Sequence, residues 1–167
     1  MSVERTLERV EEDLRVGDVT MARTRLSSLV RSLPHRLDAR ERLAAVCRLD
    51  GDLVEAGRWS YLTEQRDERE VAAFERACGK DPVRIMRALR WSCSEEAATT
   101  EVARQRLLDV RGRAEARAGR TLDWSDKGRE VGDPWWEDAF TVGCLVTGVV
   151  LLVLVVIGAV TVVRWIF

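Results

Sequence analysis

Apolar residues recur at helical spacing in the first part of the chain, with charged residues between them. Residues 3–16 place Leu7, Val10 and Leu14 three and four positions apart. This pattern predicts an amphipathic helix with one buried face. The dipeptide Gly17-Asp18 should end that helix, because glycine and aspartate favour turns over helix interiors.

A second helix is predicted over residues 19–32, and Pro34 should end it because the residue before a proline is pushed out of the helical region. The pattern then repeats, with helices predicted over residues 37–49 and 53–62 on either side of Gly51-Asp52. Short turns between such helices favour antiparallel hairpins. The residues expected to face inward are Ala22, Leu26, Leu29, Val30, Leu43, Val46, Cys47, Ala56 and Trp59.

The two hairpins are related by a fixed period, because Gly17 to Gly51 and Ala22 to Ala56 are both 34 residues apart. A period of 34 with two helices per unit resembles the tetratricopeptide repeat. In that family Gly-Asp ends the first helix and a small residue lets the helices approach. The resemblance covers residues 3–66, and unrelated helical hairpins are the alternative interpretation. Both interpretations imply antiparallel helical packing.

The sequence departs from the repeat at three positions. Arg40 and Ala44 stand where the first helix of the second unit would carry an aromatic residue and a glycine, and Glu68 stands in place of the closing proline. Only two units match, whereas three or more usually bury a continuous core.

A third hairpin is predicted over residues 67–91, out of register with the period. Asp67 and Glu70 form a capping-box pattern, Gly79 should end the first helix, and Asp81-Pro82 should start the second. The expected inward residues are Val71, Phe74, Ala77, Cys78, Val83, Ile85, Met86 and Leu89, and Trp91 should close the second helix.

A last helix should follow, capped by Ser92 or Ser94 and with two glutamates in its first turn. We expect it to cover the exposed end of the helical stack. Its apolar stripe is thin, and Gly112 weakens its interior. The stripe consists of Thr100, Ala103, Leu107, Val110 and Ala114.

The chain ends in a strongly apolar stretch, because residues 140–163 contain no charged side chain. A helix of this length rises about 36 Å, enough to cross a hydrocarbon core of roughly 30 Å. Core helices and strands are usually shorter. Trp135 and Trp136 precede the stretch and Trp165 follows it, which is typical of the two membrane interfaces. The pattern predicts a transmembrane helix.

The predicted fold class is therefore all-α: antiparallel helical hairpins resembling tetratricopeptide repeats, plus one C-terminal transmembrane helix. The expected domain organisation is a hairpin domain over residues 1–92, a capping helix over residues 93–118, a linker over residues 119–138, and the membrane helix with its short tail over residues 139–167.

The charges around the apolar stretch predict its orientation. Arg120, Lys127 and Arg129 lie on its N-terminal side and only Arg164 follows it. Positive charge favours the cytoplasmic side, and the polar N-terminus lacks the pattern of an export signal. We expect a single-pass protein of the cell membrane with its N-terminal domain in the cytoplasm.

Composition argues against several functions. The part before the apolar stretch has 26 basic and 28 acidic residues, a balance of −2, which does not favour nucleic-acid binding. The four cysteines and His35 lack the spacing of metal ligands, and no phosphate-loop or hydrolase motif occurs. We predict no enzyme, and no catalytic, cofactor-binding or metal-binding residues. The cysteines, Cys47, Cys78, Cys93 and Cys144, are expected to be reduced apolar side chains.

Two aromatic residues are the most specific features of the helical part. Trp59 lies three positions after Ala56 and should belong to the core. Tyr61 points elsewhere. It either packs in the core or against a neighbouring hairpin, or it lines a groove for a peptide. In the apolar stretch, small residues such as Gly158 recur on one face and allow weak self-association, with lipid-facing packing as the alternative.

Three strings resemble an uncharacterised family of actinobacterial proteins. They are the opening MSVERTLERVE, GRWSYL at residues 57–62 and AFERACGKDPVR at residues 73–84. The resemblance covers residues 1–92 and implies an all-helical soluble domain without a known activity.

The leading functional hypothesis is a membrane-tethered scaffold or adaptor module that binds a cytoplasmic protein and holds it at the lipid bilayer. The alternative is a membrane-bound regulator that sequesters a cytoplasmic transcription factor. A hidden enzyme is the third possibility.

Overall fold

The computed structural model describes residues 3–125, which form seven α-helices and contain no strand. The all-α class is thus confirmed for this part of the chain. Within it, no helix combines the length and apolar character needed to cross a bilayer. The predicted membrane helix at residues 140–163 lies outside the described residues. The helices are α1 (Val3–Arg15), α2 (Val19–Ser32), α3 (Leu37–Leu49), α4 (Leu53–Ser60), α5 (Glu68–Ala77), α6 (Pro82–Ala88) and α7 (Glu101–Ala118), with a 3₁₀ turn at Glu95–Ala97.

The first four helices form two hairpins, with α1 packed on α2, α3 packed on α4, and α2 packed on α3. Both hairpin turns use the predicted Gly-Asp pair. Gly17 and Gly51 have φ of 82° and 73°, left-handed values that side chains disfavour. Asp18 accepts a hydrogen bond from the Met21 amide at 2.9 Å, and Asp52 caps α4 in the same way. Helices α2 and α3 have the predicted bounds.

Helices α5 and α6 are predicted to pack on each other as a third hairpin, but each packs mainly on a different helix. Helix α5 packs most extensively on α4, whereas α6 packs on α7. Gly57 explains the close approach of α4 and α5, because a β-carbon at this position would overlap the carbonyl group of Glu70. A glycine inside a helix removes that obstacle at a cost of about 1 kcal/mol in helix propensity.

The buried side chains form two cores that meet at α4. One core lies within α1–α4 and contains Ala56 and Trp59, and the other extends from the end of α4 to α7 and contains Tyr61 and Leu62. The prediction that Trp59 is a core residue is confirmed, since its side chain is buried. Ala77 was predicted to face inward but is exposed.

Two buried arginines connect the hairpins to the end of α6. Arg40 donates from Nη2 to the carbonyls of Leu89 and Arg90 at 3.0 and 3.3 Å. Arg58 donates from Nε to the Ala88 carbonyl at 2.6 Å. The last carbonyls of a helix carry partial negative charge, so cationic donors stabilise them.

The start of α7 differs from the prediction. Thr100 is the cap, and its hydroxyl accepts from the Ala103 amide at 3.2 Å. Ser94 only precedes the 3₁₀ turn and makes no capping bond there. The reason is a tertiary contact. Glu95 is buried and accepts a hydrogen bond from Trp124 Nε1 at 2.7 Å, so it does not lie in the first turn of α7.

The predicted capping box of α5 is only half formed. Asp67 caps the helix by accepting from the Arg69 amide at 2.7 Å. Glu70 does not return a bond to the cap, because both of its carboxylate oxygens accept from Arg48, at 2.6 and 2.8 Å. This bidentate ion pair connects α5 to α3 instead.

Candidate functional site: a charged groove beside Tyr61

An open groove lies between the α4–α5 connection, α5 and α7. It has a volume of about 390 Å³. Three arginines and three carboxylates surround an aromatic ring and one aliphatic side chain. The lining residues are Tyr61, Arg66, Glu68, Val71, Glu75, Arg106, Asp109 and Arg113. Its polar lining makes it a candidate binding surface for a charged partner rather than an apolar cavity.

Tyr61 forms the floor of the groove. Its ring is buried and packs edge-on against Phe74, with the ring centres 5.8 Å apart. Its hydroxyl donates to Glu75 Oε1 at 2.9 Å and accepts from Arg113 Nη2 at 3.1 Å. Burial and Glu75 raise the pKa of Tyr61 while Arg113 lowers it, and the net shift is upward. Tyr61 is therefore a neutral side chain at pH 7 that packs in the core and also lines the groove.

Arg106 is the least compensated cation of the groove. Its Nη1 donates to the main-chain carbonyls of Tyr61 and Thr63. Within residues 3–125 no carboxylate lies at ion-pair distance from it. Desolvation lowers the pKa of Arg106, and the neighbouring positive charge of Arg66 lowers it further. The guanidinium is therefore charged, and the nearby carboxylates of Glu68 and Glu64 stabilise this charge only in part.

Arg66 lies over the face of Tyr61, with its guanidinium carbon 5.4 Å from the ring centre. Its Nε donates to Glu68 Oε1 at 3.0 Å. The Glu68 side chain is 75% exposed, so water screens this ion pair and it contributes little to stability. Arg66 thus contacts both the ring and this carboxylate.

The third arginine is paired with a carboxylate of its own helix. Arg113 forms an ion pair with Asp109 at 2.9 Å, one helical turn away on α7. Glu75 accepts a hydrogen bond from the Tyr61 hydroxyl. The three arginines and three carboxylates of the groove therefore balance in charge, and Arg106 is the arginine that has no carboxylate at ion-pair distance among residues 3–125.

The sequence pattern indicates Tyr61 as a possible groove residue but does not indicate the α7 side of the groove. Arg106, Asp109 and Arg113 occupy positions i, i+3 and i+7, so they share one face of the helix. That spacing was the available signal. It could not reveal which element this charged face meets, because the α4–α5 connection lies more than 40 residues away in sequence.

Metal ligands, His35 and the cysteine thiols are the other candidates for chemistry in the described part of the chain. Residues 3–125 contain no group of three or more potential metal ligands. His35 lies partly buried in the α2–α3 turn. Burial raises the pKa of the Cys47 thiol to about 12 and that of Cys78 to about 11, so both are protonated and weakly nucleophilic at pH 7.

The chain is similar to a known protein family. The model of a family described as "Family of unknown function (DUF6584)" matches residues 1–164. No curated protein matches the chain, and no solved structure matches it. The expectation of an uncharacterised family is confirmed, and the match extends well beyond residues 1–92.

Proposed function

The chain belongs to DUF6584, a family of unknown function, and we propose that it is a membrane-tethered adaptor whose helical domain binds a cytoplasmic protein in the groove beside Tyr61. The observation that carries this proposal is the open groove, in which arginines with unused donors surround an aromatic floor. Arginine and tyrosine are among the side chains enriched where proteins bind one another.

The helical scaffold supports the same proposal. The groove is lined by residues of α5, α7 and the α4–α5 connection. Buried residues of all three segments belong to the same hydrophobic core. Packed helices keep such a surface preorganised, which reduces the entropy lost on binding. The resemblance of residues 3–66 to tetratricopeptide repeats, a class that presents helical surfaces to other proteins, agrees with this role.

The membrane part of the proposal is supported by the sequence pattern. Residues 140–163 are long and apolar enough to span a bilayer, and the family match includes them. The basic residues before this stretch favour a cytoplasmic position for the helical domain. A partner bound in the groove would then be concentrated at the inner membrane surface.

Site-specific cross-linking in cells tests the adaptor role. A photo-reactive amino acid at position 68, on the groove rim, should capture a specific protein in full-length chain. The same amino acid at position 8, on the exposed face of α1, serves as the control. Capture of one protein at position 68 alone supports the proposal. Equal capture at both positions, or none at position 68, contradicts it. Recovery of a transcription factor would identify the sequestering regulator instead of the adaptor.

Membrane fractionation tests the tether. The full-length chain should remain in the membrane pellet after an alkaline carbonate wash. A variant with Leu154→Arg and Val156→Arg should move to the supernatant, because each buried arginine opposes insertion by about 2.5–3.5 kcal/mol. The variant with Leu154→Ile and Val156→Ile should behave as wild type. Carbonate release of the wild-type chain would contradict the tether.

A further inference from the structure

We propose that the groove beside Tyr61 recognises an acidic segment of the partner protein, with one of its carboxylates bound between Arg66 and Arg106. This inference rests on the proposed adaptor function and adds the chemical class of the segment that is bound. It follows from how unequally the charges of the groove are paired.

Arg106 lines the groove and has unused hydrogen-bonding capacity. Among residues 3–125, its Nη1 alone is engaged, by the carbonyls of Tyr61 and Thr63. Its Nε and Nη2 have no hydrogen-bond partner within residues 3–125. The two carbonyls anchor the guanidinium, so a ligand would meet a donor that is already oriented.

Arg66 supplies a second oriented donor group. Its Nε is used by Glu68, and neither Nη atom has a hydrogen-bond partner in the described part of the chain. The Tyr61 ring supports the flat face of this guanidinium. Two guanidinium groups that share a groove repel each other. Burial is the larger cause of the lowered pKa of Arg106, and this repulsion adds to it.

A carboxylate is the ligand group that suits both the unused donors of the two arginines and the repulsion between them. It would accept charge-assisted hydrogen bonds from both arginines, which are roughly twice as strong as neutral ones. It would also neutralise the repulsion between them. Of the three carboxylates in the groove, Asp109 is paired with Arg113, Glu68 is paired with Arg66, and one oxygen of Glu75 accepts from the Tyr61 hydroxyl.

The floor of the groove adds little apolar surface, because Tyr61 and Val71 are only 3% and 5% exposed. A ligand in the groove therefore meets mainly the two guanidinium groups. Because the proposed adaptor binds a protein, we assign the carboxylate to an acidic side chain in a flexible segment of that partner.

Peptide binding by full-length protein in detergent micelles tests the inference. The probes are three fluorescein-labelled peptides of equal length in which serine alternates with glutamate, glutamine or lysine, and the readout is fluorescence anisotropy. We expect the glutamate peptide to bind at least about tenfold more tightly than the glutamine peptide, a difference of about 1.4 kcal/mol. Its affinity should fall as salt is raised.

Substitution of the two arginines assigns the binding to the groove. Arg106→Gln and Arg66→Gln should each weaken binding of the glutamate peptide by about tenfold. Arg104→Gln is the matched control on α7, because Arg104 pairs with Glu101 outside the groove and should change affinity by less than about twofold. Circular dichroism melting confirms that each variant is folded, and Arg66→Gln leaves the main-chain bonds of Arg106 intact.

Several results would overturn the inference. These are equal binding of the glutamate and glutamine peptides, preferential binding of the lysine peptide, and unchanged affinity in folded Arg66→Gln protein. Tighter Arg66-dependent binding to phosphatidylserine vesicles than to the glutamate peptide would assign the groove to a lipid headgroup and would also overturn it.

The adaptor role and the acidic specificity of the groove can be contradicted independently of each other. If cross-linking at position 68 captures a partner but both arginine variants retain it, the adaptor role stands and the acidic specificity is wrong. If the glutamate peptide binds through Arg66 and Arg106 but no protein is captured, the charge preference of the groove stands and the adaptor role is wrong.

Discussion

Arg40 shows how one side chain can be essential to packing without belonging to a site. It is fully buried, its Nε donates to the Pro34 carbonyl at 2.8 Å, and its guanidinium lies within 6 Å of the rings of Trp59 and Trp91. Burial lowers the pKa of Arg40 to about 9, so the side chain is still charged at pH 7. Arg40 occupies the position where the tetratricopeptide pattern would have an aromatic residue.

Arg40→Met should therefore destabilise the domain by about 2 kcal/mol, because three main-chain carbonyls lose their buried donor. Urea unfolding followed by circular dichroism measures the change. Arg42→Met is the control on the same helix, since Arg42 and its partner Glu11 are 44% and 67% exposed, and its effect should stay below about 0.5 kcal/mol. Equal effects of the two substitutions would show that the buried bonds contribute nothing specific.

Cys47 predicts a pH dependence of stability. Its thiol has a pKa of about 12 in the folded chain because burial disfavours the thiolate, against an ordinary value of 9.0. Above pH 9 the unfolded chain therefore loses this proton first, so ionisation favours unfolding. The stability of wild type relative to Cys47→Ala should fall by about 1 kcal/mol between about pH 8 and about pH 10. Urea unfolding of both proteins at each pH measures it, and a constant difference would contradict it.

At the scale of elements, the contact between α4 and α5 depends on the absence of a side chain. A methyl group at Gly57 would overlap the main chain of Glu70 and lie 2.9 Å from the Val71 amide nitrogen. Neither backbone can move without breaking helix hydrogen bonds. This contact places the α4–α5 connection, and with it Arg66, beside the groove.

Gly57→Ala should destabilise the domain by about 2 kcal/mol despite the better helix propensity of alanine. Gly112→Ala is the matched control, because Gly112 is an exposed position inside α7 with no atom near the added methyl group. It should stabilise the domain by up to about 1 kcal/mol. Thermal unfolding of both variants measures the opposite signs, and a stabilising Gly57→Ala would refute the close contact.

At the scale of the whole molecule, the chain returns to its own core after α7. Gly119 ends that helix with φ of 67°, and Leu122 donates its amide to Glu115 at 2.9 Å. Trp124 is buried against the second core, where its indole and Arg111 both bind the carboxylate of Glu95. The first residues of the predicted linker region thus contribute to the packing of the helical domain.

Trp124→Ala should lower stability by about 3 kcal/mol, since it empties a buried aromatic site and removes a partner of a buried carboxylate. Leu108→Ala, at a position 38% exposed on α7, should change it by less than about 1 kcal/mol. Guanidinium unfolding of the full-length variants in detergent measures both. A loss below about 1 kcal/mol for Trp124→Ala would show that this segment is not part of the cooperative unit.

Local signals in the sequence determined the helical elements and their turns. Apolar spacing, the Gly-Asp turns and Asp81-Pro82 specify helices through contacts within a few residues, so α2 and α3 have the predicted bounds. The same local chemistry predicts the membrane stretch at residues 140–163. Glycine at positive φ and aspartate at a helix start act on their immediate neighbours, whatever the rest of the fold is.

The tertiary structure alone decided which helices pair and where the groove lies. Gly57 at the α4–α5 contact, Glu70 bound to Arg48 rather than to its cap, and the delayed start of α7 all follow from partners distant in sequence. Periodicity shows that a face is apolar or charged, but it carries no information about the surface that face meets. The groove cannot be predicted without knowing which surfaces meet, because it joins the charged face of α7 to Tyr61 and the start of α5.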